Sequence, residues 1–511
     1  MTVGELIVPL ESQLDVIERQ GNLHVAVTDV TDDSRLVKPG SLFVAVKGGR
    51  VDGHAYVRQA VEAGASAVVM QVGLPSAGGP EPGLVPSVPV IRVKDSRRAL
   101  GLLASRLHHD PSFRLAMIGV TGTNGKTTVT YLCKAVLEAA GRRVGVIGTV
   151  AYQIGSERLN ASHTTPGASE LQALLARMVF AGLDTAVIEV SSHALAMDRI
   201  AGCEFDTAIY TNLTQDHLDF HSDMEDYFRA KLSLFTSLRP VGNKPRPKRA
   251  IINADDPRGG RVCEASPVPF WTYSIRSRSD IRAEDVRLSL EGTRFTAVTP
   301  AGRFLVESRL VGEHNVYNIL AAIGVGLQEG LSPDVIREGI HSVVNVPGRF
   351  ERVEAGQDFT VVVDYAHTED ALVHLLGTAQ ALKTGRIITV FGCGGDRDRS
   401  KRPKMGRAAA QQSDLVILTS DNPRSEDPMA ILRDVEAGVL EALDPSERAR
   451  VRYEVIADRR RAIETAIREA KRGDMVLIAG KGHEDYQIIG ANRLHFDDRE
   501  EAKAAIEKLQ G

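Results

Sequence analysis

No uninterrupted apolar run in the 511-residue chain approaches the roughly 20 residues that span a bilayer. A membrane-embedded protein is therefore not expected. The first twenty residues, MTVGELIVPLESQLDVIERQ, carry early acidic groups and lack a basic stretch followed by an apolar segment, so they do not read as a signal peptide. Cysteine is scarce. Cys133, Cys203, Cys263 and Cys393 lie far apart without a Cys-x-x-Cys pair, which argues against a zinc site or a disulfide framework. Nor is there a basic surplus: a formal charge of -4 lacks the electrostatic footprint of a bulk nucleic-acid binder. A local nest of backbone amides can still bind an anion, because it needs no net positive charge. A cytoplasmic monomer without nucleic-acid or membrane partners is expected.

The chain has the ordinary globular balance of 43% hydrophobic and 25% charged residues. Its length suggests about three domains. In the first hundred residues, strand patterns at 41–48, 66–71 and 89–93 alternate with helical ones at 54–65 and 95–109. The Gly/Pro-rich stretch 73–89 reads as a surface loop, and Asp110-Pro111 as a boundary. RLAMIGV (114–120), VGVIGTV (144–150), TAVIEV (185–190) and DTAIYTNL (206–213) read as buried strands, with a helix at 169–182. That alternation predicts a parallel sheet with crossover helices. The basic segment 239–249 reads as a solvated loop. A third α/β block has strands at 359–366, 386–392, 414–420, 451–458 and 474–480, beginning after Val346-Pro347-Gly348. The expected division is 1–111, 112–346 and 347–511. The fold class is α/β, with a small N-terminal α/β domain, a central phosphate-loop domain with a mostly parallel sheet, and a C-terminal Rossmann-like domain.

RLAMIGVTGTNGKTTVT sets Gly122, Gly125, Lys126 and Thr127 between a strand and a helix. Glycines there let successive amides face phosphate oxygens, and the helix N-terminus adds partial positive charge. Lys126 can neutralise phosphate and Thr127 can sit on Mg²⁺. The loop departs from the Walker A spacing, because Val120 stands five residues before Gly125. Read alone, the short string could be a surface turn; its strand-to-helix setting favours phosphate. Two strand ends could supply metal ligands. Glu189 closes a buried run, where an unpaired carboxylate is costly. Asp216 and His217 follow another strand near Asn212, although a hydrogen-bonded loop histidine would look the same.

The strings TGTNGKTT (121–128), EVSSHAL (189–195), NLTQDHLDFH (212–221), EHNVYNILAA (313–322), PGRFE (347–351) and DYAHTED (364–370) closely resemble those of the Mur ligase family, in family order. The resemblance implies an ATP-dependent amino-acid ligase of peptidoglycan precursor synthesis, with UDP-substrate, ATPase and amino-acid domains. It implies ATP contacts at Gly122, Thr123, Asn124, Gly125, Lys126, Thr127, Thr128, Asn315 or Asn318, Arg349 and Asp364. It carries Thr127, Glu189, His217 and a carbamylated Lys231 as Mg²⁺ ligands. The catalytic set is then Lys126, Glu189, His217 and Lys231. A carbamate on Lys231 would replace a cation beside the metal by an anion; the plain alternative is a helix lysine on a solvated face.

Residues 30–54 resemble the uridine site of the family's tripeptide-forming branch, and Ser34, His163, Thr164, Thr165, Ser191 and Arg199 match its contact positions. Met197 stands where some members have glutamine. Asp421, Asn422, Pro423 and Arg424 form the motif of diaminopimelate-adding members, while Arg397, Gly480 and Glu484 match further amino-acid positions. A guanidinium forks onto a carboxylate, so Arg424 suits the extra carboxylate that distinguishes diaminopimelate from lysine. The plain alternative for Arg424 is an ion pair with Glu426 or Asp427. The implied co-substrates are UDP-N-acetylmuramoyl-L-alanyl-D-glutamate and meso-2,6-diaminopimelate. Remaining alternatives are a ligase for lysine or another diamine, a folylpolyglutamate synthetase, a phosphate-loop NTPase without ligase activity, and an inactive scaffold.

Overall fold

A computed structural model describes residues 1–48, 51–73, 87–443 and 451–510. Most of the expected loop at 73–89 lies outside these. Three large sheets organise the chain. A five-stranded sheet is formed by strands between Val16 and Val93, with only Val16–Gln20 antiparallel to its neighbour. Asp95 caps the helix Ser96–Leu107 by accepting from the Arg97 and Arg98 amides, which satisfies donors at the helix start.

The central sheet has eleven strands. Ala116–Thr121 is buried at every position and lies between Thr185–Glu189 and Thr207–Tyr210, parallel to both. The three chains therefore leave the sheet side by side at their C-terminal ends, where α/β proteins build ligand sites. Sequence reading found this parallel core. It did not assign the antiparallel run Ile281–Ser289, Gly292–Thr299 and Gly302–Ser308 at one edge. A six-stranded sheet follows, parallel except for the short Glu351–Arg352 strand. Helices cover both of its faces, giving two separate apolar clusters.

One expectation fails. The segment 239–249 is not simply solvated: Lys244 and Lys248 are buried, and each lies 2.6 Å from an oxygen of buried Asp206. Lys248 also reaches Glu204 at 2.8 Å, and Asp206 accepts from the Met117 amide at 2.8 Å. The basic run thus anchors the segment to the first central strand. Its charges are matched by residues distant in sequence, which local composition does not reveal. Asp206→Ala leaves two buried ammonium groups short of their anion and is expected to destabilise the protein by about 3–5 kcal/mol. Urea unfolding measures this; a loss below about 1 kcal/mol, as for a surface pair, would contradict it.

Candidate active site

The phosphate loop follows Thr121 and opens the helix Lys126–Ala139. Gly122 and Gly125 both have positive φ, at 149° and 87°. A Cβ on Gly122 would overlap the Thr211 side chain, and one on Gly125 would meet Asn318 Oδ1. Glycine is needed because the neighbouring strand end and the helix Glu313–Gln328 press against the loop. Gly122→Ala is expected to abolish binding of a non-hydrolysable ATP analogue in calorimetric titration; unchanged affinity would show that the loop holds no phosphate.

Lys126 donates Nζ to the Gly122 and Thr123 carbonyls at 2.9 and 2.8 Å. Lys231 donates to the same Gly122 carbonyl at 2.8 Å. The helix Met224–Thr236 buries Tyr227, Phe228, Lys231, Leu234 and Phe235. Lys231 is only 1% exposed, so it is not a lysine of a solvated face. Burial, reinforced by Lys126, pushes its ammonium well below the usual range.

Glu189 is equally buried, 1% exposed. Its carboxylate accepts from Thr127 Oγ1 at 3.1 Å, and from the Thr149 amide and hydroxyl at 3.0 Å each. A Cβ on Gly148 would collide with it. Thr149, which sequence reading did not single out, is therefore the second anchor of this carboxylate. Burial lowers the His217 imidazole to about 3 with Lys126 and Lys231 adding to the effect and Asp216 opposing it. Its ring meets His193 edge-on, 4.7 Å between centroids. Thr127 and Glu189 are thus joined directly, while His217 belongs to a second group with Lys126 and Lys231.

Other expected nucleotide positions converge on the loop. Asn318 donates to Asn315 Oδ1 at 2.9 Å. Arg349, from the chain entering the third sheet, donates to Thr127 Oγ1 at 3.1 Å and lies over the Tyr365 ring. Asp364 accepts from the Phe350 and Ala366 amides, and burial raises its carboxyl. Asn124 donates to Asp370 at 2.6 Å, joined there by Thr214 at 3.1 Å. Asp370 was not singled out from sequence. A cleft of about 280 Å³ opens beside it, lined by Thr214, Asp216, Thr368, Lys401 and Lys404 among others.

On the side of the first sheet, Thr165 Oγ1 donates to the Glu189 carbonyl at 2.7 Å, and the Ser191 amide donates to Thr165 Oγ1 at 3.0 Å. Arg199 donates to the Thr165 carbonyl at 2.9 Å, and Thr164 meets Thr149 at 3.1 Å. The His163 carbonyl accepts from Tyr152 at 2.7 Å. Ser34 is less integrated: it bonds Gln59 at 3.3 Å, although Arg199 acts electrostatically on nearby Asp32.

In the third sheet, Gly480 and Asp421 leave the ends of Met475–Ala479 and Leu415–Leu418. Asn422 donates to Glu484 at 2.9 Å. Gly395 donates its amide to the Asn422 carbonyl, and a Cβ on Gly395 would overlap the Pro423 carbonyl. Arg397 and Arg424 flank Gly394. Among the described residues Arg424 forms no ion pair; Glu426 is held by Arg402 at 2.8 Å, and Asp427 caps the helix Pro428–Ala442.

Fold and site define a phosphate-loop α/β protein whose loop meets a second α/β unit through the Asn124–Asp370 bond, beside a cleft that the two units share. Three family descriptions match: Mur ligase family catalytic domain over residues 26–108, Mur ligase middle domain over 120–326, and Mur ligase glutamate ligase domain over 348–482. The chain belongs to the Mur ligase family. It is 47% identical to the UDP-N-acetylmuramoyl-L-alanyl-D-glutamate--2,6-diaminopimelate ligase of Geobacillus thermodenitrificans, over 96% of this chain and 97% of that one. The Gloeobacter violaceus protein of the same name is 49% identical, over 95% and 94%. A solved structure of a ligase with this name superposes with a TM-score of 0.69 at 33% identity, covering 100% of this chain and 99% of the other. The MurF ligase of Thermotoga maritima, at 18% identity and a TM-score of 0.59 over 94% and 97%, shares the fold.

Proposed function

We propose that this chain is an ATP-dependent ligase that adds meso-2,6-diaminopimelate to the D-glutamate of UDP-N-acetylmuramoyl-L-alanyl-D-glutamate. The observation that carries the reading is the shared cleft: phosphate-loop neighbours Thr214 and Asp216 face Thr368, Lys401 and Lys404, at the starts of two helices that pack on the third sheet, across it. An activated carboxylate formed on one side can meet an amine delivered from the other.

A carboxylate resists nucleophiles because its charge repels them and oxide cannot leave. Transfer of the γ-phosphate of ATP to the D-glutamate carboxylate gives an acyl phosphate; the amine attacks its carbonyl, and phosphate departs. Lys126 faces the loop carbonyls and would offset charge developing on the phosphate, the dominant contribution in such chemistry. Asn315, Asn318, Arg349 and Asp364 complete the nucleotide side in this reading. The UDP-dipeptide falls to Ser34, His163, Thr164, Thr165, Ser191 and Arg199. The amino acid falls to Arg397, Asp421, Asn422, Pro423, Arg424, Gly480 and Glu484.

Hard oxygen donors at Thr127 and Glu189, joined directly, fit Mg²⁺, which takes few protein ligands; in this reading His217 would reach a metal from the neighbouring group. Carbamylated Lys231 would add anionic oxygen to that set. Bound Mg²⁺ would draw negative charge from the transferring phosphoryl group. The division at 111 and 346 is supported by each large sheet drawing its strands from one segment. All three sets of positions lie in one chain, so a monomer would suffice, working in the cytoplasm where ATP and UDP-linked precursors occur.

Phosphate release should require both the UDP-dipeptide and diaminopimelate, with lysine and ornithine far less effective. Release independent of the amino acid would indicate an NTPase, and preference for lysine would overturn the substrate assignment.

A further inference from the structure

Lys481 has no role in the reading above, yet it is a fully enclosed charge of the amino-acid region. Its side chain is 0% exposed, against 9% for Asp421 and 16% for Glu484. Its ammonium lies 3.3 Å from Asp421 Oδ1, 3.2 Å from Asn422 Oδ1 and 3.6 Å from Glu484 Oε2. It therefore ties the loop after Leu415–Leu418 to the loop after Met475–Ala479. Asn422 closes the triangle: its Nδ2 donates to Glu484, and its Oδ1 also accepts from the Ile488 amide at 2.9 Å. The other buried cation nearby, Arg459, is paired with Asp498 at 2.7 Å and acts on Asp421 and Glu484 only through space.

The charge count decides what Lys481 does. Asp421 and Glu484 bring two negative charges into a largely buried space, and Lys481 brings one positive charge from the interior side. Among these three ion-paired groups one net negative charge is left, on the more open side, where Glu484 is the most exposed of the three. Two buried carboxylates without the cation would share a proton instead of both ionising, and the attraction for an incoming ammonium would be lost. Resting on the ligase reading, we propose that Lys481 is a positioning residue for the amino-acid substrate, keeping Asp421 and Glu484 together so that one uncompensated negative charge receives the substrate's ammonium.

The test is steady-state kinetics of the full-length wild type and the variants Lys481→Met, Lys481→Gln and Lys481→Arg, varying each co-substrate in turn. For Lys481→Met the KM for diaminopimelate should rise roughly tenfold to a hundredfold. The KM values for ATP and the UDP-dipeptide should stay within about twofold. Lys481→Arg, which keeps the charge, should recover most of the affinity, and Lys481→Gln should not. A purely structural lysine predicts a lowered melting temperature without this split. Equal KM changes for all three substrates, a diaminopimelate KM unchanged in Lys481→Met, or arginine no better than glutamine would each overturn the inference. If the methionine variant does not fold, the glutamine and arginine variants decide on the same criterion. Absence of diaminopimelate-dependent turnover in the wild type would instead remove the ligase reading itself.

Discussion

Lys231→Ala is expected to lower turnover by roughly a hundredfold to a thousandfold, and short carboxylic acids are expected to restore part of it. The reason lies in where the helix Met224–Thr236 puts this side chain. Lys231 and Lys126 donate to one carbonyl, that of Gly122, at 2.8 and 2.9 Å. Two ammonium groups at one acceptor repel each other, and Lys231, 1% exposed, lies where water does not screen it. A carbamate on Lys231 removes that repulsion by reversing the charge, and it provides oxygens in the group that contains His217. Truncation to alanine leaves an enclosed space beside a cation, which formate, acetate or propionate can enter. Turnover of the variant with and without these acids measures the effect. Wild-type rates in the alanine variant would exclude the carbamate role.

Arg424→Ala should raise the KM for diaminopimelate by roughly a hundredfold, in line with truncating a charged hydrogen-bonded partner, while leaving the KM for lysine little changed. The side chain is held for such a role. Arg424 has a left-handed backbone, φ 52°, a conformation uncommon outside glycine. Its amide donates to the Ile488 carbonyl, and its own carbonyl accepts from the Gly490 amide at 2.7 Å. One guanidinium nitrogen donates to the Gly395 carbonyl at 2.6 Å; the neighbouring acids Glu426 and Asp427 are occupied elsewhere. The remaining donors can fork onto a carboxylate. Arg424→Lys should recover little, since a point charge lacks the planar fork. Competition between the two amino acids in one reaction reads the change in preference; an unchanged ratio would remove Arg424 as the discriminating residue.

Much of this arrangement was legible in the chain. The phosphate loop announces itself by glycines between a buried strand and a helix. Glu189 is conspicuous as a carboxylate ending an apolar run, and its three hydrogen bonds account for its tolerance there. The parallel strands stand out as β-branched runs. The edge strand Gly302–Ser308 alternates exposed and buried positions from Arg303 onward, a period that was available but is masked by the charges of Arg303 and Glu307 on its outer face. Other features have no local signal. Lys244 and Lys248 look like surface charges until Asp206 is brought against them by sheet pairing. Thr149 lies inside a recognised strand run and Lys481 directly after Gly480, but their partners are set by the neighbouring strand ends. The Asn124–Asp370 bond joins residues 246 positions apart, and only the packing of the second and third sheets creates it.

Carboxylate activation is tested most directly by labelling the D-glutamate carboxylates of the UDP-dipeptide with heavy oxygen and analysing the phosphate released during ligation to diaminopimelate. One labelled oxygen should appear in the phosphate, because the bond broken when the amine attacks the acyl phosphate leaves that oxygen on phosphorus. Unlabelled phosphate, with ligation proceeding normally, would contradict an acyl-phosphate ligase.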